Sequence, residues 1–154
     1  MSRFDRAVQL AEIVGAVAVV VSLLYVGLQI RQNTRAIQDT SDQNSLTLAH
    51  SIDAYLFDDE FVTDYESGLK DYSTLAGSGK RRFDTFVSQN FNVWEYAFNA
   101  RNRGTMQEES WSGWDRWFRS QMAQDAWQEV WRQRRSGYSD GFQRYADSIV
   151  AGEG

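Results

Sequence analysis

The sequence contains no cysteine, no proline and a single histidine, His50, among its 154 residues. Without cysteine the chain forms no disulfide and no thiolate metal site. One histidine does not assemble a standard structural zinc site, and Thr47 stands where the Glu-x-x-His pair of ferritin-like carboxylate sites would need a glutamate. The absence of proline removes the main breaker of helices. We therefore predict no metal, no cofactor and a strongly helical chain.

The motifs of common enzymes are also missing. The chain has no glycine-rich phosphate loop, no dinucleotide fingerprint and no nucleophile elbow. A Ser–His–acid arrangement would have to use His50, but a lone histidine among many serines and aspartates carries almost no information. We interpret His50 as an ordinary polar residue of a helix and predict no catalytic residue. Enzymatic activity is left open as the less favoured alternative.

Positive charge is scarce in the larger part of the chain. Residues 36–154 carry 12 Lys and Arg against 19 Asp and Glu, a net charge of −7, whereas residues 1–35 carry four arginines against two acids, a net charge of +2. Binding to nucleic acid requires cations against phosphate, and so does a broad electrostatic hold on anionic lipid. The acidic part therefore argues against a nucleic-acid partner.

One long apolar run stands near the N-terminus. Residues 13–28 hold no charge, and their only polar side-chain groups are the hydroxyls of Ser22 and Tyr25. With Gln29 and Ile30 the run has 18 residues, which as a helix span about 27 Å. The hydrocarbon core of a bilayer is about 30 Å thick. The run therefore predicts a single transmembrane helix, with arginines on both flanks.

Two other interpretations of this run are less favoured. The apolar region of a signal peptide usually has about 7–15 residues and ends at a small-residue cleavage site, whereas this run is longer and ends in "QIRQNTR". A core helix of a small soluble protein normally keeps one polar face. Residues 13–28 have no such face.

We predict an all-α fold with two parts. Residues 1–35 form a membrane anchor with its flanks, and residues 36–154 form an acidic, Trp-rich helical domain. Because no glycine or proline occurs between Leu28 and Ser67, the first helix is expected to extend beyond the bilayer, from about Phe4 to about Phe57. The polar stretch at residues 39–45 is the point at which it would break. An apolar stripe is predicted to continue along one face of this helix at Ile30, Ile37, Leu48, Ile52 and Leu56.

Helix ends are predicted from local signals. Asp58 or Asp59 can cap the second helix. Gly104 can end the later helix that contains Phe83 to Phe98. The segment "AGSGK" at residues 76–80 is predicted to be a loop. Gly113 or Ser120 is a candidate interruption in the Trp-rich tail, and Ser139 is a candidate N-cap of the last helix.

Aromatic residues are abundant, with six Trp, seven Tyr and nine Phe. Each ring buries a large area, so we predict that most of them fill the core of the helical domain; contact with a membrane or a partner is the alternative. Six residues at helical spacing are predicted to point inward: Phe83, Phe86, Val87, Phe91, Trp94 and Phe98.

One face of the apolar run carries small and then polar residues. At spacings of three and four, these are Ala11, Gly15, Ala18, Ser22, Tyr25 and Gln29. Helices in lipid associate through close backbone approach and interhelical hydrogen bonds, because no hydrophobic drive acts between them. This face therefore predicts a helix–helix interface with copies of the chain or with another membrane protein. The alternative is that the pattern has no role in association, because Ala and Gly are common in membrane spans.

Two segments resemble a large group of uncharacterised bacterial membrane proteins, which pair an N-terminal span with a short Trp-rich helical part. They are "AEIVGAVAVVVSLLYVGLQIRQNTRAI" and "EESWSGWDRWFRSQMAQDAWQEVWRQRRSGYSDGFQRY". The resemblance implies a membrane anchor and bacterial origin. It implies no activity, cofactor or catalytic residue.

The expected function is that of a membrane-anchored interaction protein that self-assembles through its transmembrane helix. An accessory subunit of a larger membrane complex and a pore-forming homo-oligomer are the alternatives. The expected location is the bacterial inner (plasma) membrane, crossed once. The flanking arginines are tied at two against two, and the "QIRQNTR" flank favours a cytoplasmic position for the soluble part.

Overall fold

A computed structural model describes the backbone of residues 3–152 and the side chains in that range except those of residues 3–8, 11, 53, 54 and 57. Within it the chain is helical and contains no strand, which confirms the predicted all-α fold with one long apolar N-terminal helix. The described α-helices are α1 (Arg3–Asp53), α2 (Asp59–Lys70), α3 (Gly77–Asn102), α4 (Glu108–Met122), α5 (Asp125–Arg134) and α6 (Asp140–Val150). Short 3-10 helices occupy Ala54–Phe57, Tyr72–Thr74 and Arg135–Gly137.

The chain divides into two compact units, Met1–Ile37 and Gln38–Gly154. The first unit consists of the N-terminal part of α1. The second contains the C-terminal part of α1 and helices α2 to α6. The backbone of α1 is helical through residues 39–45, so the break that the polar stretch suggested does not occur there.

Helix α3 is the centre of the second unit and packs against α2, α4, α5 and α6. Phe91 meets Trp127 and Trp131 edge-on, with ring centroids 5.6 and 5.3 Å apart. Trp94 lies parallel to Phe118 at 4.8 Å. The predicted inward residues of α3 are buried except Phe98, which is half-buried. Aromatic pairs of this kind contribute about 0.5–1.5 kcal/mol each beyond their buried area.

Local signals at two helix ends act as predicted. The Asp58 carboxylate accepts hydrogen bonds from the backbone N–H groups of Glu60 and Phe61, at 2.9 and 3.0 Å, and so caps α2. Gly104 has φ +70° just after α3, a left-handed conformation that glycine adopts without steric cost. The chain therefore leaves α3 at the predicted point.

Two local predictions are wrong. Gly113 and Ser120 do not interrupt α4, which is continuous from Glu108 to Met122. The predicted loop at 76–80 is instead the first turn of α3 from Gly77 onward. Gly79 in this turn lies under the carboxylate of Asp64, and a Cβ at Gly79 would stand 2.8 Å from Asp64 Oδ1. The glycine therefore permits a close approach of α2 to the start of α3.

The residues of the apolar stripe predicted beyond the span lie on one continuous helix as far as Ile52, but most of them are not buried. Leu48 and Leu56 are exposed, and Ile52 is the stripe's only buried member in the second unit. Ser41 and Ser45 are buried instead. The reason is a polar seam between residues 38–44 of α1 and the region of α3 and α4. Its hydrogen bonds are Gln38 Nε2 to Gly104 O (3.3 Å), Gln107 Nε2 to Asp39 Oδ1 (3.3 Å), Ser110 Oγ to Asp42 Oδ2 (2.7 Å) and Asn44 Nδ2 to Tyr96 OH (3.4 Å).

Replacing Ser45 by leucine is expected to destabilise the second unit. Ser45 is fully buried, and its hydroxyl donates to the carbonyl of Ser41 at 3.0 Å. Overpacking a closed site of this kind typically costs about 1–3 kcal/mol. Thermal unfolding of the full chain in mild detergent, followed by near-UV circular dichroism, should show a lower midpoint for Ser45→Leu. Ser45→Ala, which adds no volume, should stay close to wild type; an unchanged midpoint for Ser45→Leu would contradict the tight packing of α1 at this position.

Candidate functional site

The first candidate site is the apolar segment of α1. Every side chain from Glu12 to Ile30 is exposed within the chain. The segment from Glu12 onward contains an 18-residue window with a mean hydropathy of 2.4, none of which is buried. By length and composition, this helix can cross a membrane. An exposed apolar run of this size has no partner within its own unit.

Burial separates this helix from one of the alternatives. The core helix of a soluble protein is mostly buried, whereas the apolar window of α1 is fully exposed. A signal sequence, which also stands near the N-terminus, satisfies the same test of length and composition. The established property is therefore a helix of membrane-spanning length and hydropathy.

The predicted interface residues share one face of α1. Successive residues of an α-helix are about 100° apart, so spacings of three and four return to the same side. Gly15, Ala18 and Ser22 are exposed on this face, and Gln29 Nε2 donates to Tyr25 OH at 3.1 Å. The side chain of Ala11 lies outside the described residues. The interface itself remains a prediction.

The face is distinguished by chemistry rather than by burial. Val14, Val17, Val21 and Leu24 on the remaining faces are as exposed as the small residues. A Cβ added to Gly15 would meet nothing within 4 Å, and the same is true of Gly27. Gly27 lies about 120° around the helix from Gly15. The two glycines therefore offer matched positions on different faces.

The described part of the chain offers little for metal binding or catalysis. No group of three or more His, Asp or Glu residues that could hold a metal ion occurs there. His50 is an exposed residue of α1. Neither observation assigns chemistry to His50.

One compact cluster of titratable groups consists of Tyr72, Lys80 and Asp84. Tyr72 OH donates to Asp84 Oδ1 at 2.7 Å, and Lys80 Nζ contacts Tyr72 OH and lies 3.2 Å from Asp84 Oδ2. Burial raises the pKa of Tyr72. The pKa of Lys80 is also raised: burial alone would lower it, but hydrogen bonds to Tyr72 and Asp84 outweigh that effect. Both shifts hold the protons on these groups, so neither side chain is prepared to act as a base near neutral pH.

A second candidate site, which the sequence did not indicate, is a cleft of about 540 Å³ in the second unit. Leu46 and Ala49 of α1 form one wall, and Gly113, Trp114 and Trp117 of α4 form the other. Its volume lies within the usual range for small-molecule sites, about 300–1,000 Å³.

A glycine inside a helical segment, Gly113, is the sequence feature associated with this cleft. Glycine inside a helix costs about 0.5–1 kcal/mol relative to alanine. Here the helix continues through Gly113, its φ is not positive, and an added Cβ would meet nothing within 4 Å. Neither a turn nor a close contact requires this glycine. Because Gly113 lines the cleft and has no side chain, α4 leaves space free at this position.

No family model, curated protein or solved structure matches this chain. The resemblance to bacterial membrane proteins therefore remains a prediction from the quoted segments.

Replacing both Val17 and Val20 by arginine is expected to prevent stable membrane insertion. Both lie in the middle of the exposed apolar segment. An arginine at the centre of a spanning helix costs about 2.5–3.5 kcal/mol on insertion scales, so two should cost about 5–7 kcal/mol. The fraction of chain that resists alkaline carbonate extraction should fall sharply for the double arginine variant. The double leucine variant at the same positions should be retained like wild type, and retention of the arginine variant would contradict a spanning role.

Proposed function

We propose that this chain is a membrane-anchored helical protein that associates with further copies of itself through one face of α1. The observation that carries the proposal is an apolar segment of bilayer length whose side chains are all exposed. Such a surface is stable in lipid or against another apolar helix, but not in water.

The face of Ala11, Gly15, Ala18, Ser22, Tyr25 and Gln29 supports association in particular. Small residues let two helix backbones approach closely, and polar side chains near the end of the segment form hydrogen bonds across helices. Tyr25 and Gln29 already bond to each other within one helix, through one donor of the Gln29 amide. The Tyr25 hydroxyl and the second Gln29 amide hydrogen are then donors that a neighbouring helix can satisfy.

We further propose that the membrane is the plasma membrane of a bacterium, with the acidic second unit on the cytoplasmic side. The support is the resemblance of residues 11–37 and 108–145 to bacterial single-span proteins, together with the "QIRQNTR" flank. The acidic unit would then extend into the cytoplasm, where its net charge opposes binding to nucleic acid.

The native mass of the assembly tests self-association. The full chain, extracted in mild detergent, is expected to have a protein mass that is a whole multiple of 17.7 kDa. Gly15→Leu adds bulk to the proposed interface and should weaken association at least about tenfold, which corresponds to about 1.4 kcal/mol. Gly27→Leu makes the same change about 120° away and should leave the mass unchanged.

Three other results would contradict self-association or the proposed face. A mass that requires foreign chains would replace self-association by the role of an accessory subunit. A monomeric mass at all concentrations, or equal effects of Gly15→Leu and Gly27→Leu, would reject the proposed face.

Labelling of an introduced cysteine tests the orientation. The chain has no native cysteine, so Ser136→Cys, at an exposed position after α5, would carry the sole thiol. In intact spheroplasts a membrane-impermeant maleimide should leave the Ser136→Cys variant unlabelled. After lysis the same reagent should label the variant. Labelling before lysis would reverse the proposed orientation, and a cysteine on a known periplasmic protein provides the control.

A further inference from the structure

The cleft between α1 and α4 has one charged wall. Asp42 lines it, and its Oδ2 atom accepts a hydrogen bond from Ser110 Oγ at 2.7 Å. The other carboxylate oxygen, Oδ1, is shielded from solvent and has no hydrogen-bond partner. Among the described residues that line the cleft there is no lysine or arginine. The lining contains one further titratable side chain, the imidazole of His50. With His50 neutral, the formal charge of the lining is that of the Asp42 carboxylate alone, and it is negative.

The opposite wall is aromatic. Trp114 is half-buried, and Trp117 remains 41% exposed despite its size. Packing holds both indoles in position: Trp114 stacks on Phe118 at 5.9 Å, and Trp117 meets Trp127 edge-on at 6.2 Å. Indole faces attract cations within about 6 Å of the ring centre. No cation–π pair described within the chain uses either indole.

Gly113 gives the cleft its depth. It belongs to the wall that α4 forms, and a Cβ added there would meet nothing within 4 Å. Leu46, which is 51% exposed, offers apolar surface across from the indoles. The cleft thus combines apolar surface, two indoles and one carboxylate, with the polar side chains of His50 and Asn90 also in its lining.

We propose that this cleft binds a small organic cation, an amine or quaternary ammonium ion with an apolar or aromatic body. The ammonium group lies on the side of Asp42, where it compensates the carboxylate, and the apolar body packs between Leu46 and the indoles of α4. The volume of about 540 Å³ fits a free molecule of drug size. This inference does not depend on self-association of α1.

Three soluble probes with the same benzyl group test the proposal. They are benzyltrimethylammonium, benzyl alcohol and phenylmethanesulfonate, titrated against the full chain in nonionic detergent with tryptophan fluorescence and calorimetry as readouts. We expect saturable binding of the cation, at least about tenfold tighter than that of the alcohol, and no binding of the sulfonate. No saturation by the cation up to about 10 mM, or equal affinity for cation and alcohol, would overturn the proposal.

Two variants locate the site. Gly113→Leu adds a side chain to the lining of the cleft at a position where a Cβ meets nothing within 4 Å, and it should weaken cation binding at least tenfold. Gly137→Leu makes the same change at another glycine whose Cβ position is open, and it should have no effect. Asp42→Asn keeps an acceptor for Ser110 and should reduce affinity for the cation about tenfold while leaving that for the alcohol unchanged. Near-UV circular dichroism checks that each variant is folded. Unchanged cation binding in both Gly113→Leu and Asp42→Asn would place the ligand elsewhere and overturn the proposal.

Discussion

Packing of aromatic rings along α3 holds the second unit together. Phe91 touches Trp127 and Trp131, and Trp94 stacks on Phe118, so one helix joins α4 and α5 through a few rings. The chain has no cysteine for a disulfide. The stability of a unit of this size therefore depends on rings whose truncation to alanine typically costs about 3–5 kcal/mol each. Glycines at close approaches, such as Gly79 beneath Asp64, let the surrounding helices come near enough for this packing.

The apolar segment of α1 lies outside that core and obeys a different constraint. Its side chains from Glu12 to Ile30 are all exposed, so its apolar surface is satisfied only by lipid or by another helix. Backbone hydrogen bonds are already satisfied within the helix, which is the requirement for crossing a bilayer. Self-association through the small-residue face, as proposed, would add close packing and interhelical hydrogen bonds to this helix.

The C-terminal part of α1 is held by polar contacts along residues 38–44 and by one buried apolar side chain, Ile52, further on. The hydrogen bonds of the polar seam, among them Ser110 to Asp42, fix this segment beside α4. Because the seam replaces an apolar interface, Leu46 is left exposed and a cleft remains open in front of Trp114 and Trp117. The same contact that positions the helix therefore also creates the proposed binding site for a cation.

By itself the sequence determined the helical class, the apolar segment, an aspartate cap at Asp58 or Asp59, the end of α3 at Gly104 and most of the inward face of α3. These features follow from local chemistry: composition, periodicity and the conformational freedom of single residues act within a few turns of helix. Only the tertiary structure decided the start of α3 at Gly77, the burial of Ser41 and Ser45 in place of Leu48, and the opening of the cleft at Gly113. Each of these depends on a partner distant in the chain, such as Asp64 for Gly79 or Ser110 for Asp42. Periodicity reports which residues share a face, but the burial of that face depends on the side chains that another helix brings against it.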